Sequence, residues 1–185
     1  MNFSIRSIWT IFCHFFLGVL LIANSLSVNA NTYKEAVFAG GCFWCMEHDF
    51  ESLKGVVSVD SGYSGGQSLD PTYKDHKGYQ ESVLVRFDDS KISYDQLLRI
   101  YWRNIDPFDG SGQFCDKGDS YRAVIFTDGK DQESKALKSF QDATQELKTQ
   151  KDQIKVQIKD LEKFWIAEGY HQDFASKNNL KYSLY

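Results

Sequence analysis

The chain is poor in proline and cysteine, and it has no excess of positive charge. Its 185 residues include two prolines and four cysteines, and the formal net charge is −4. A mildly acidic chain is a poor candidate for binding nucleic acid or an anionic membrane surface. The sequence also lacks internal repeats and low-complexity tracts. Its length fits one domain with a real hydrophobic core.

An apolar run long enough to span a bilayer is also missing. The run at residues 8–22 is shorter than the roughly 20 residues that a membrane-spanning helix needs. It follows Arg6 and precedes a polar stretch with small residues at its end, which is the pattern of a secretory signal peptide. We therefore expect a signal peptide over residues 1–30, with cleavage after Ala30. The mature domain, residues 31–185, would be exported and would be periplasmic or secreted.

The scarcity of cysteine limits what the thiols can do. After cleavage three cysteines would remain: Cys42, Cys45 and Cys115. An odd count in an exported protein leaves at least one thiol outside any internal pair. The compartment is also oxidising, so a resting thiol must be kept reduced there. Both facts lean against purely structural disulfides.

Hydrophobic periodicity predicts a β-α-β-β-α-β order followed by an extra helix and strand. Strands are predicted at residues 33–39, 56–59, 82–88, 121–127 and 154–158, and helices are predicted to begin at Cys42, at the capping box 93–96 and before Leu137. We expect loops at residues 62–66 and 108–118. The first six elements follow the split βαβ order of ferredoxin-like domains. The expected fold is α+β, a ferredoxin-like two-layer sandwich with an irregular tail from Phe164.

Two cysteines stand three residues apart in the segment AGGCFWC at residues 39–45. Cys42 opens a predicted helix, and the positive end of that helix and its free backbone N–H groups favour a thiolate. A lowered pKa makes such a thiol nucleophilic near neutral pH. Cys45 lies one helical turn later, within reach of a disulfide or of an oxidised Cys42.

Four functions are compatible with this spacing: a zinc site, a structural disulfide, a thioredoxin-type module, and a catalytic thiol whose substrate is not a disulfide. Zinc would need a second close pair of ligands, and the remaining candidates form none: Cys115, His48, His76 and His171. A thioredoxin-type module needs a proline before a later strand, and neither Pro71 nor Pro107 directly precedes a predicted strand. A stapled binding module with an aromatic ligand site and a catalytic thiol both remain open.

The same segment resembles the G-C-F-W-x-x-E signature of the peptide methionine sulfoxide reductase A family. Later segments resemble further family motifs, in the family's order: G-Y-x-G-G at residues 62–66, G-H-x-E-x-V at 78–83, D-x-G-x-x-Y-R at 116–122 and Y-H-Q at 170–172. One departure is Tyr79, which stands where a histidine is usual. The resemblance runs from about Tyr33 to the carboxyl end.

The resemblance implies reduction of methionine S-sulfoxide, free or in proteins, to methionine. It makes Cys42 the nucleophile and Glu81 the acid that protonates the sulfoxide oxygen, a role that requires burial of the carboxyl group. It also implies substrate-binding residues: Phe43 and Trp44 around the S-methyl group, Tyr63 and Tyr121 as hydroxyl donors to the oxygen, and Asp116. Without the matched motifs, Glu81 and Glu47 would be interpreted as solvated carboxylates. Tyr63 and Tyr121 would be interpreted as ordinary strand-edge tyrosines.

Release of methionine would leave a sulfenic acid on Cys42, which a second thiol must resolve. Several family members use cysteines in a carboxyl-terminal tail, but here none follows Cys115. We expect Cys45 to resolve the sulfenic acid, with Cys115 as the second choice. A thioredoxin-like donor, periplasmic or membrane-linked after export, would then reduce the disulfide. The expected partners are this donor and proteins or peptides that contain methionine sulfoxide. We expect no metal, no bound cofactor, no nucleic acid and no stable membrane association after cleavage.

Overall fold

The computed structural model describes residues 33–178, which belong to one compact unit, Thr32–Tyr185. The expected signal peptide and its cleavage after Ala30 lie outside the described residues and stay predictions. Among the described residues, no helix has both the length and the apolar character needed to cross a membrane.

The described chain begins with a strand, a helix, two strands and a second helix. The strands are β1 (Lys34–Ala39), β2 (Val56–Ser64), β3 (Gln80–Phe87), β4 (Gly112–Gln113), β5 (Asp116–Lys117), β6 (Val124–Thr127), β7 (Gln157–Asp160) and β8 (Phe164–Ile166). The helices are α1 (Phe43–Glu51), α2 (Tyr94–Arg103), α3 (Gly129–Glu146) and α4 (Phe174–Lys177), with a 3-10 turn at Asp119–Tyr121 before β6.

Six strands form one mixed sheet in the order β7-β6-β1-β3-β2-β8. All neighbours pair antiparallel except β6 and β7, which are parallel. The strands β6-β1-β3-β2 and the helices α1 and α2 give the split βαβ arrangement. The predicted α+β fold is therefore confirmed, with β7 and β8 added at the two edges.

Both faces of the sheet are covered, as the burial of the β1 side chains shows. Ala36 and Phe38 point into the main core, where Phe43 of α1 and Leu97 of α2 also lie. The alternate residues Val37 and Ala39 belong to a smaller cluster on the other face, against which Leu161 and Phe164 pack. Because successive side chains of a strand point to opposite faces, β1 is apolar at every buried position.

The capping box predicted at the start of α2 is confirmed. The Ser93 hydroxyl accepts a hydrogen bond from the Gln96 N–H at 3.3 Å, and the Gln96 side-chain oxygen accepts one from the Ser93 N–H at 2.9 Å. Two backbone donors at the helix start are satisfied in this way.

The predicted loop at residues 62–66 and the predicted irregular tail are both partly wrong. β2 continues to Ser64 because its last three residues pair with β3 on one side and with β8, which lies in that tail, on the other. Gly62 allows the close approach, since a Cβ there would lie 2.3 Å from the Phe164 ring and from the Trp165 carbonyl oxygen. The strand pairing thus carries the tail across the end of β2.

Two other strand boundaries also differ from the prediction. Tyr121 ends the 3-10 turn, and β6 begins only at Val124. The last predicted strand, residues 154–158, is displaced to β7, although Ile154 and Val156 are buried in the main core as their alternation indicated. The short hairpin of β4 and β5 falls within the segment predicted to be a loop.

Candidate active site

Cys42 lies at the amino terminus of α1, as predicted. Its carbonyl oxygen accepts the first helical hydrogen bonds, from the N–H groups of Cys45 at 3.1 Å and Met46 at 3.2 Å. Gly41 turns the chain from β1 into this position with a left-handed φ of +96°. A Cβ at Gly41 would lie 2.9 Å from the Cβ of Gln113. A glycine is therefore required by both the backbone conformation and the space.

The two cysteines of α1 differ electrostatically. The Cys45 thiol donates a hydrogen bond to the Cys42 sulfur, and this bond is the main reason that the pKa of Cys42 is lowered. Burial and the charge of Asp116 oppose the shift, while backbone N–H groups of Trp44 and Cys45 support it. The same bond, together with burial, raises the pKa of Cys45. Cys42 is thus the stronger thiolate of the pair, and Cys45 stays a protonated thiol.

Glu81 reaches the same helix end from β3. Its side-chain oxygen accepts a hydrogen bond from the Phe43 N–H at 3.1 Å, and the residue is only 2% exposed. Burial raises the pKa of Glu81 to about 8, although the Phe43 hydrogen bond acts in the opposite direction. The alternative of a solvated carboxylate is therefore wrong. This carboxyl group can remain protonated near neutral pH and can donate a proton.

Aromatic rings cluster along the amino-terminal half of α1. Phe43 is buried, and its ring centroid lies 5.8 Å from that of Tyr63 and 6.3 Å from that of Tyr73. Trp44 is half-buried and stacks on Phe174 of α4 at 3.8 Å. The predicted walls Phe43 and Trp44 are thus brought together, with a centroid separation of 6.0 Å. Such rings offer a surface for a small apolar group.

The two predicted tyrosines have different surroundings. Tyr63 is fully buried and is the register partner of Glu81 on the neighbouring strand, so both side chains point to the same face. Its hydroxyl donates to Glu168 at 3.1 Å. Tyr121 is half-buried, and burial and the charge of Glu81 raise its pKa to about 12. Both phenols therefore stay protonated at neutral pH, and Tyr63 is not a strand-edge residue.

A cavity of about 310 Å³ opens on the other side of the cysteine pair. Cys42 and Cys45 line it on α1, and Asp116 lines it from β5, the far strand of the hairpin. Cys115 lies in the turn of that hairpin and is exposed, without lining the cavity. The structure thus brings Asp116 to the cysteines and leaves Cys115 at the surface.

Several residues of the site were not predicted from the sequence. Glu168 accepts hydrogen bonds from Tyr63 and from the Tyr73 N–H at 3.0 Å. His171 accepts one from the Trp44 indole N–H at 3.1 Å. Both lie in the tail, whose Y-H-Q motif was the only sequence signal of its position. Glu47 is buried, not a surface residue, and burial raises its pKa to about 7.

No metal centre is formed by residues 33–178, since no group of three or more potential ligands comes together there. An activated thiol, a second thiol one turn away and a buried protonated carboxyl group instead define a thiol-based oxidoreductase.

Comparison with known proteins gives the family. The chain belongs to the peptide methionine sulfoxide reductase family, whose model matches residues 34–185. It is 45% identical to peptide methionine sulfoxide reductase MsrA 2 of Caulobacter vibrioides over 90% of this chain and 85% of that protein. The resemblance to the A family is therefore confirmed, and the chain is an oxidoreductase.

Solved structures agree with the fold. The structure is similar to methionine sulfoxide reductase A of Corynebacterium diphtheriae, with a TM-score of 0.72 and 27% identity over 81% of this chain and 77% of that one. It also resembles reduced Mxr1 from Saccharomyces cerevisiae, with a TM-score of 0.75 and 24% identity over 84% of this chain and 91% of that one. The second likeness concerns the fold alone.

Proposed function

We propose that this protein reduces methionine S-sulfoxide, in proteins and as the free amino acid, to methionine. The observation that carries the proposal is that the nucleophile and the acid meet at one helix end. Cys42 is activated at the start of α1, and the Glu81 carboxyl group is bonded to the N–H of the very next residue, Phe43. Family membership supports the reaction, since the matching relatives are named for it.

In the reductive step the Cys42 thiolate attacks the sulfoxide sulfur. The sulfoxide sulfur is electrophilic only when its oxygen is polarised or protonated. The protonated Glu81 carboxyl group supplies that proton. Oxygen then passes to the cysteine: thiol and sulfoxide become sulfenic acid and methionine, so that the sulfur of Cys42 is oxidised and that of the substrate reduced. Glu81 becomes ionised when it gives up this proton. Its burial matters because it keeps the carboxyl group protonated until then.

Substrate binding uses the groups around these two residues. The rings of Phe43 and Trp44 would receive the S-methyl group, and Tyr121 would donate its hydroxyl to the sulfoxide oxygen. Tyr63 can do the same only by sharing or exchanging its hydrogen bond with Glu168. Asp116 would face the rest of the substrate from the cavity beside the cysteines.

The oxidised Cys42 is regenerated by a second thiol. Cys45 is the first choice because its thiol already contacts the Cys42 sulfur. Condensation of the sulfenic acid with that thiol releases water and forms a disulfide. Cys115 is the second choice, since its hairpin neighbours line the same cavity although its own side chain is exposed.

A thioredoxin-like dithiol would reduce this disulfide by exchange. Yeast Mxr1, which shares the fold, has been solved in complex with Trx2. We propose that the domain acts after export, in the periplasm or outside the cell, on oxidised proteins and peptides. The pattern of residues 1–30 supports export.

The test uses the mature domain, residues 31–185, with dithiothreitol and each epimer of dabsylated methionine sulfoxide. We expect methionine to form from the S epimer only. If neither epimer yields methionine the proposed reaction is wrong, and if only the R epimer does the proposed stereochemistry is wrong. Cys115→Ser is the matched control. Cys115 is exposed and takes no part in the first step, so its replacement should leave turnover driven by dithiothreitol unchanged if Cys45 resolves the sulfenic acid.

A further inference from the structure

We propose that Glu168 and His171 are positioning residues that hold the two walls of the substrate pocket by one hydrogen bond each from the same tail, an inference that rests on the proposed function. The Trp44 indole N–H donates to Nδ1 of His171 at 3.1 Å, and the Tyr63 hydroxyl donates to Oε2 of Glu168 at 3.1 Å. Nε2 of His171 lies 4.0 Å from that same Oε2. The tail thus connects Trp44 to Tyr63.

The geometry fixes the tautomer of His171. Because Nδ1 accepts a hydrogen bond, it carries no proton, and the neutral ring has its hydrogen on Nε2. Within residues 33–178 this Nε2 makes no hydrogen bond, and it faces the Glu168 carboxylate. Burial lowers the pKa of His171, which keeps the ring neutral and preserves the acceptor for Trp44.

The rings around His171 prevent it from turning away. Its centroid lies 4.5 Å from that of Tyr73, 5.1 Å from that of Phe43 and 5.5 Å from that of Trp44. The histidine is 1% exposed. A ring enclosed in this way can hold the indole at one orientation.

Glu168 holds the opposite wall with both of its oxygens. While Oε2 accepts from Tyr63, Oε1 accepts from the Tyr73 N–H at 3.0 Å. Burial alone would raise the pKa of Glu168, but these hydrogen bonds outweigh it and the pKa is lowered. The ionised carboxylate therefore accepts from both donors at once, and it ties the Tyr73 segment to β2.

The tail is anchored so that both residues reach the pocket. The Ala167 N–H donates to the Ser61 carbonyl at 2.9 Å, and the Gln172 side chain bonds the N–H of Ser61 at 2.9 Å and its carbonyl at 3.0 Å. These bonds fix the tail against β2 on either side of Glu168 and His171. Their side chains are thus supported by backbone contacts outside the pocket.

The first experiment compares variants that differ at one acceptor. In His171→Asn the amide oxygen can replace Nδ1, whereas in His171→Gln the amide reaches toward Glu168 and leaves Trp44 without an acceptor. We expect His171→Gln and His171→Ala to raise KM for the S epimer about tenfold, as loss of one buried hydrogen-bond partner would. His171→Asn should recover most of the affinity. The single-turnover rate at saturation and the alkylation rate of Cys42 should stay within about twofold of wild type.

Glu168→Gln should also raise KM, because the amide has a single oxygen and its NH2 group cannot accept from the second donor. Glu162→Gln is the control, a change at an exposed acid that lies just before the tail. An unchanged KM in His171→Gln, or equal losses in KM and in alkylation, would overturn the positioning role.

The indole N–H resonance of Trp44 gives a readout that does not depend on activity. It should move in His171→Gln and return in His171→Asn, while the resonance of Trp102, bonded to Ser139, stays fixed. If the wild type reduces neither epimer, the proposed function fails and this resonance still tests the hydrogen bond. If the wild type is active and the resonance does not move, only the present inference fails.

Discussion

Replacing the buried carboxyl group of Glu81 by an amide is expected to increase stability and reduce activity together. Glu81→Gln keeps the size of the side chain, and its amide oxygen can still accept the Phe43 N–H. It removes the only proton that the side chain could give to a sulfoxide oxygen. It also removes a group whose ionised form is disfavoured by burial in the folded protein.

The magnitude follows from the pKa. Burial raises the pKa of Glu81 from its ordinary value of 4.5 to about 8 in the folded protein. The folded state binds this proton more tightly than the unfolded chain, so the associated stability is fully present below pH 4.5 and is lost as the pH rises through 8. Between pH 5 and pH 7 the wild type should lose roughly 2 to 3 kcal/mol from this group. Glu81→Gln should lose none of it.

Urea unfolding at pH 5 and pH 7 measures this difference. Groups that titrate equally in both proteins cancel, so the stability of Glu81→Gln relative to wild type should rise by roughly 2 to 3 kcal/mol between the two conditions. Glu162→Gln, at an exposed acid, should show no such rise. A parallel loss of stability in wild type and Glu81→Gln would refute a raised pKa at Glu81. The wild-type reductive rate should also fall as the pH rises above about 8, and Glu81→Gln should be slow at every pH.

Three further predictions concern the start of α1. Cys42→Ser should abolish methionine formation, and any turnover above background would move the nucleophile elsewhere. With a thioredoxin-like donor as reductant, Cys45→Ser should release about one methionine per enzyme and then stop, because Cys45 acts only after the first step. Normal recycling in this variant would make Cys115 the resolving residue. Gly41→Ala should be less stable than Gly78→Ala by about 1 kcal/mol in urea unfolding. Both glycines have positive φ, but only Gly41 would bring a Cβ against Gln113. Equal losses would show that the contact is unimportant.

Local sequence signals predicted the elements that carry the chemistry. The glycine pair before Cys42 and the apolar repeat after it placed a thiol at a helix start, and the Ser93–Gln96 capping box fixed the start of α2. Both depend on residues within four positions of one another. The split βαβ order followed from the same periodicity, because β1 is apolar over its buried length and residues 83–87 of β3 alternate.

Features that depend on distant partners could not be predicted in this way. Gly62 and Ser64 were predicted to lie in a loop, but they pair with β3 on one side and with β8 on the other. β8 lies about a hundred residues later in a segment without alternation. The contacts of Tyr63 with Glu168 and of Trp44 with His171 likewise join positions far apart in sequence. Glu47 is different: it lies four residues after Phe43 and so shares the buried face of α1, a signal that its charge obscured.

The central claim is that oxygen passes from methionine sulfoxide to the sulfur of Cys42. The most direct measurement is peptide mass spectrometry after one turnover of the Cys45→Ser, Cys115→Ser double variant in the presence of dimedone, which captures sulfenic acids. We expect one methionine released per adduct, with the adduct on the peptide that contains Cys42. Methionine release without an adduct on that peptide would contradict it.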